Sequence, residues 1–214
     1  MALTVVAMDL GAALGLICTV VAVCLIWPQV IRVYKLNSVE GLAPLGTLHG
    51  LAGCTLWTLY GTAKGIAPVI ISNAAIGAAL LLVAIAQVRH RALKSTQLIA
   101  ALAGIAAVGA GALAVSTTFE GWLAIIVGAT SIFPQTVHAA RARDLSAVSL
   151  PTYGLVCLNA VLWSAYGALI DDPMVILINV VILPCAAFVA VKAWRAQSHQ
   201  ADVVALGLDP LAST

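Results

Sequence analysis

Charge is scarce in this 214-residue chain: 8% of its residues are Asp, Glu, Lys or Arg, 63% are hydrophobic, and its mean hydropathy is +1.10. So few polar side chains cannot coat a water-soluble globule, and the composition is that of an integral membrane protein. No basic residue precedes Arg32, so the positive leader of a cleaved signal peptide is missing and the first apolar segment is expected to be retained as a helix. A net charge of +2, with no basic run carrying interleaved aromatics, gives no basis for nucleic acid as a partner. The five cysteines, Cys18, Cys24, Cys54, Cys157 and Cys185, lie inside apolar stretches without CxxC or metal spacing. They read as small buried hydrophobes, and no metal or cofactor is expected. GxSxG, HExxH and paired intramembrane aspartates are also lacking, and Ser72 has no basic partner at a suitable depth. The chain is not expected to be an enzyme.

What the sequence has in abundance is apolar runs. A bilayer core of about 30 Å needs roughly 20 apolar residues per helix, and seven such segments are expected near residues 9–34, 44–62, 66–88, 97–115, 121–140, 150–169 and 173–194. The tail, 196–214, is mildly polar and expected to be disordered. Alternating the segments across the membrane puts Arg32, Lys35, Arg89, Arg91, Lys94, Arg141, Arg143, Lys192 and Arg195 on one side and Lys64 alone on the other. The positive-inside rule makes the first side cytoplasmic, with the N-terminus outside and the C-terminus inside.

The sequence also repeats. A gapless shift of 106 residues superposes Pro28 on Pro134, Gln29 on Gln135, Trp57 on Trp163, Tyr60 on Tyr166, Gly61 on Gly167 and Asn73 on Asn179. Trp, Tyr and Asn are scarce here, so their coincidence at one shift is not generic aliphatic similarity. Each copy covers three segments, and one Ala- and Gly-rich segment lies between them. Three plus one is even, so the copies share an orientation, as parallel repeats do. The expected architecture is all-α, with two parallel three-helix bundles joined by a linker helix: residues 1–90, a linker at 91–118, and residues 119–195.

A PQ dipeptide in the first helix of each triplet, in register with the Trp, Tyr and Asn pairs, resembles the PQ-loop superfamily and specifically the SWEET sugar transporters. The likeness runs over about residues 9–195. It implies facilitative transport of a neutral sugar by alternating access, in contact with lipid and most naturally in the plasma membrane. Both triplets lie on one chain, so a homo-oligomer is optional.

The residues can be read beside that resemblance. Proline within a helix removes a backbone hydrogen bond and bends it, which marks Pro28 and Pro134 as flexure points. Pro44 and Pro151, at helix starts, read either as favoured first-turn prolines or as further hinges; the resemblance implies that all four are hinges. Counting 1.5 Å per residue puts Trp57 level with Asn73, and Trp163 level with Asn179. An amide in hydrocarbon needs a partner or a wet cavity. Two indoles and two carboxamides around one space suit a polyhydroxylated ring, and the resemblance implies that these four residues, with Gly53 and Asn159 four places before each Trp, form the sugar site.

Lys64 and Asp172 read either as an ion pair closing the outside or as solvated loop charges; with Tyr60, they resemble the SWEET extracellular gate. Gln29 and Gln135 either satisfy carbonyls freed by the prolines or act in an inner gate. The acidic residues Asp9, Glu40, Glu120, Asp144, Asp171, Asp172, Asp202 and Asp209 are expected at helix ends, loops or the tail, leaving no buried carboxylate to relay protons. His49, whose counterpart is Leu155, is expected to be a packing residue bonded to a backbone carbonyl. Transport is therefore expected to be uniport. The alternatives are a proton-coupled PQ-loop amino acid carrier of the cystinosin kind, for which Asp144 is the available carboxylate, and a seven-helix receptor. A retinal-binding receptor would need a mid-helix lysine, whereas Lys192 is near the end of its helix.

Overall fold

The computed structural model describes residues 2–142, 145 and 148–205, with side-chain surroundings for residues 10–142, 145 and 148–198. Arg143, Asp144 and the tail beyond residue 205 lie outside the described residues, as do the side chains of Asp9 and Asp202.

The described chain folds into helices α1 (Ala2–Leu36), α2 (Pro44–Lys64), α3 (Ala67–Arg89), α4 (Ser95–Val115), α5 (Thr117–Thr130), α6 (Phe133–Arg141), α7 (Leu150–Leu169) and α8 (Pro173–Ala205). Continuous apolar runs of about 20 residues form helices in hydrocarbon, because a helix pairs its backbone groups within the segment. Boundaries follow local chemistry. Proline stands in the first turn of α2, α3, α6 and α7, where its missing N–H costs nothing. Gly65, at φ 70°, closes α2 by turning its N–H back to the last carbonyls. The Ser116 hydroxyl accepts from Phe119 N–H and caps α5.

Among the described residues six spans are long and apolar enough to cross a membrane: Leu10–Leu36, Ala67–Arg89, Ser95–Val115, Thr117–Arg141, Leu150–Leu169 and Pro173–Ser198. This corrects the expectation of seven on composition. The missing one is α2, which has the length but carries four threonines, His49 and Lys64. It packs against α3, α4 and α5, so it is covered by protein more than by lipid. Its threonines bond back along the helix, Thr55 to Leu51 O (2.9 Å), Thr58 to Cys54 O (2.7 Å) and Thr62 to Thr58 O (2.7 Å), which removes their need for water.

Two further boundaries differ from expectation. Helix α8 continues to Ala205, so part of the expected disordered tail is helical. The expected fifth helix is broken at residues 131–132 into α5 and α6, although they share one span. Pro134 has no N–H to offer the Thr130 carbonyl. The Ser131 N–H turns to Gly128 O (3.2 Å), and the Val127 carbonyl is taken up by Thr130 Oγ1 (2.8 Å) and by His49 Nε2 of α2 (2.8 Å). Pro28, its counterpart, sits inside an unbroken α1. The partner position to His49 is Leu155, which cannot donate a hydrogen bond.

The packing forms a closed circuit. Helix α3 lies between α1 and α2, and α8 lies between α5–α6 and α7; the circuit closes through α2 on α5 and α1 on α7. Helix α4 packs outside it, against α2 and α5, and buries only Leu98, Gly109 and Ala112. The main core gathers Leu56, Trp57, Tyr60, Val69, Ala124, Trp163, Tyr166, Val175 and Ile178 between the helices. Leu16, Val20, Ile99, Val108, Ile126, Val180 and Val191 point outward, as a lipid-facing surface requires.

Candidate functional site

Within this circuit α2, α3, α7 and α8 line a cavity of about 110 Å³, bordered by Trp57, Val69, Asn73, Trp163, Val175, Ile178 and Asn179. The two Trp and two Asn residues of the repeat thus border one space. Asn73 Nδ2 donates to Val69 O (2.9 Å) and Asn179 Nδ2 to Val175 O (2.8 Å). Each amide is anchored to its own helix by one N–H, and no protein donor among the described residues reaches either Oδ1. The indoles are held edge-on by the tyrosine one turn later: Trp57 and Tyr60 centroids are 5.6 Å apart at 83°, and those of Trp163 and Tyr166 are 5.7 Å apart at 86°. Edge-to-face pairs of this kind add about 0.5–1.5 kcal/mol each and fix the ring planes. No ionised group lines the cavity, which suits an uncharged ligand.

Beyond the cavity, toward the Lys64 end, polar groups of α2 and α8 meet at Asp172. Tyr60 Oη donates to Asp172 (2.9 Å to Oδ1, 2.8 Å to Oδ2), Lys64 Nζ stands 3.5 Å from Oδ2, and the N–H groups of Met174 (3.0 Å) and Val175 (3.2 Å) also point at Oδ1. Asp172 is 2% exposed and Lys64 45%. The carboxylate is thereby both the cap of α8 and the anchor of Tyr60. The reading of Asp172 as a solvated loop charge is corrected: its neighbours bury it.

Other expected site residues lie elsewhere. Gly53 and Asn159 do not line the cavity; a side chain at Gly53 would meet nothing within 4 Å, and Asn159 Oδ1 is buried without a partner. Gln29 borders a separate space of about 440 Å³ with Arg32, Ser38 and Glu40 at the opposite end. Neither Gln29 nor Gln135 bonds a carbonyl freed by its proline among the described residues. Pro44 and Pro151 stand in the first turns of α2 and α7. Lys192 bonds the carbonyls that end α6, at Ala139 (2.5 Å) and Ala140 (2.6 Å).

Residues 10–70 match the family model of the PQ-loop repeat. A eukaryotic SWEET transporter, solved at 3.7 Å resolution, superposes with a TM-score of 0.73 at 15% identity, over 88% of this chain and 99% of that one. The fold is SWEET-like. No curated protein matches the sequence. Identity this low carries the fold alone, so the chemistry of the cavity rests on its own residues.

Two features of this SWEET-like fold escaped the reading of the sequence. The first is a glycine pair, Gly15 and Gly121, related by the same shift of 106. A Cβ at Gly121 would stand 2.9 Å from the Tyr60 ring and 3.0 Å from Met174; one at Gly15 would stand 3.0 Å from the Tyr166 ring and 2.5 Å from Pro68. Each glycine lets the tyrosine of the other repeat approach the helix backbone. Gly15→Ala is expected to destabilise by about 1–3 kcal/mol and Gly121→Ala by less, since a methionine side chain can move and a proline ring cannot. Thermal unfolding in detergent reads the difference, and equal losses would contradict it. The second is Glu120, expected at an exposed helix end. It does stand in the first turn of α5, but it is fully buried, which corrects the expectation that no carboxylate is enclosed.

Proposed function

We propose that this protein is a facilitative transporter of a neutral sugar that works by alternating access. The observation that carries the reading is one cavity shared by two indoles and two carboxamides, with no charged residue in its lining. The free Oδ1 atoms of Asn73 and Asn179 accept from sugar hydroxyls, and the indole faces cover the apolar C–H surface of the ring. Gly53 and Asn159 border the path beyond the cavity. The two three-helix repeats rock about the central site, with α4 as linker. Pro134 and Pro28 act as unequal hinges, one already open at a helix break and the other still within a continuous helix, with Pro44 and Pro151 at helix starts. Tyr60, Lys64 and Asp172 form the outer gate, closed here, and Gln29 and Gln135 flank the inner opening. The lysine and arginine distribution supports an N-terminus outside and a C-terminus in the cytoplasm, and the plasma membrane is the proposed location.

Uptake of labelled glucose and sucrose into liposomes holding the purified protein tests the reading. Uptake of at least one sugar that equilibrates, and never accumulates under an imposed pH gradient, is expected. Absence of flux for both, with pH-driven amino acid flux instead, overturns it.

A further inference from the structure

Glu120 stands apart from the transport path just proposed. Its side chain is 0% exposed, and neither carboxyl oxygen has a hydrogen-bond partner in the protein. It lies where α5 meets α4 and α2: a Cβ on Gly109 of α4 would stand 3.8 Å from Glu120 Oε1 and closer still to Leu59 and Leu56 of α2. The repeat offers no structural reason for a carboxyl there, since its counterpart is Leu14. Its neighbours at that crossing are Gly109, Leu56 and Leu59, and a bare carboxylate among them would give up its hydration for nothing.

The ionisable groups on the packed elements do not compensate for this. Helix α4 has none at all. Helix α2 carries His49, Cys54, Tyr60 and Lys64; His49 is committed to Val127 O, and Tyr60 and Lys64 to Asp172. On α6 and α8, His138, Arg141, Lys192 and Arg195 lie toward the far end of the bundle, Cys185 lies midway along the α8 span, and Asp172 at the start of α8 already has four partners.

The next residue supplies the connection to the gate. Gly121 is the glycine against which the Tyr60 ring closes, so the helix turn that buries Glu120 is the one that seats the gate tyrosine. We propose that Glu120 is a proton-binding site linked to the outer gate, protonated while Tyr60 is seated on Gly121 and Asp172, and released to ionise when that packing opens. The exchange is a single proton, between the carboxylate and outside water. Glu120 is one residue from the gate contact and separated from the opposite end by the rest of α5, so it gains and loses its proton on one side. No net proton is carried, and raising the outside pH favours the open gate because the open state binds fewer protons. The proposal rests on the gate assignment above, and not on the identity of the sugar.

Infrared difference spectra of the purified full-length protein in liposomes test it without any substrate. Wild type at neutral pH is expected to show a protonated-carboxyl band that shifts in D2O and is absent from both Glu120→Gln and Glu120→Leu; thermal unfolding confirms that each variant used is folded. In Asp172→Asn, which loosens the gate, the band is expected to disappear at a pH at least one unit lower than in wild type. A band retained in both Glu120 variants, or absent from wild type, overturns the proton site. A band that belongs to Glu120 but titrates identically in Asp172→Asn overturns the link to the gate. Loss of sugar flux with these spectral results intact would count against the transport reading alone.

Discussion

Asn73→Ala and Asn179→Ala are each expected to lower sugar flux by roughly thirty- to hundredfold while leaving the fold in place. An amide that both donates to and accepts from a sugar hydroxyl contributes about two hydrogen bonds at roughly 1–1.5 kcal/mol each, and each 1.4 kcal/mol is about a factor of ten. The structural loss is smaller. Each Nδ2 bonds only the carbonyl four residues earlier in its own helix, and that carbonyl also accepts the backbone N–H of a regular helix. Counterflow of labelled glucose in liposomes measures the first quantity and thermal unfolding the second. Near wild-type counterflow in either variant would mean that the amides serve packing only.

Asp172→Ala is expected to open the Lys64 end of the cavity. The substitution strands the Tyr60 hydroxyl and the N–H groups of Met174 and Val175, at about 1–3 kcal/mol for each buried group left unpaired. Lys64→Ala, by contrast, removes a partner that is 45% exposed, and a pair with one solvated member contributes about 0–1 kcal/mol. The expected result is therefore unequal. With a cysteine at Val175 in a background whose five native cysteines are alanine, a membrane-impermeant thiol reagent added outside should label the Asp172→Ala form at least about tenfold faster, and the Lys64→Ala form little faster than the parent. Equal rates in all three forms would remove Asp172 from any gating role.

The asymmetry of these two variants shows how far residue types alone reach. Lys64 and Asp172 are recognisable as opposite charges beyond the ends of apolar segments, and Tyr60 as a repeated aromatic. Their worth depends on burial, which is set by what covers them: α8 begins at Pro173 and turns its first N–H groups onto Asp172. The broken fifth helix is a similar case. Pro134 announces a weak point, and so does Pro28, with the same neighbouring glutamine. Only one of them breaks its helix, and it is the one where the break lies beside the Val127 carbonyl that His49, reaching across from α2, takes up.

Apolar length, the scarcity of charge and a repeat of 106 residues were enough to determine an all-helical membrane chain and to single out the Trp and Asn pairs that border the cavity. These are consequences of local chemistry: lipid demands internally bonded helices, and a repeat sets equal depths. The tertiary structure alone decided that α2 packs against three other helices, that Gly15 and Gly121 are points of close approach, and that Glu120 is enclosed. Each depends on which neighbouring helix crosses at that level. The first turn of a helix is ordinarily wet, and Glu120 is dry because α4, joined to α5 through Ser116 alone, folds back and meets α2 over it.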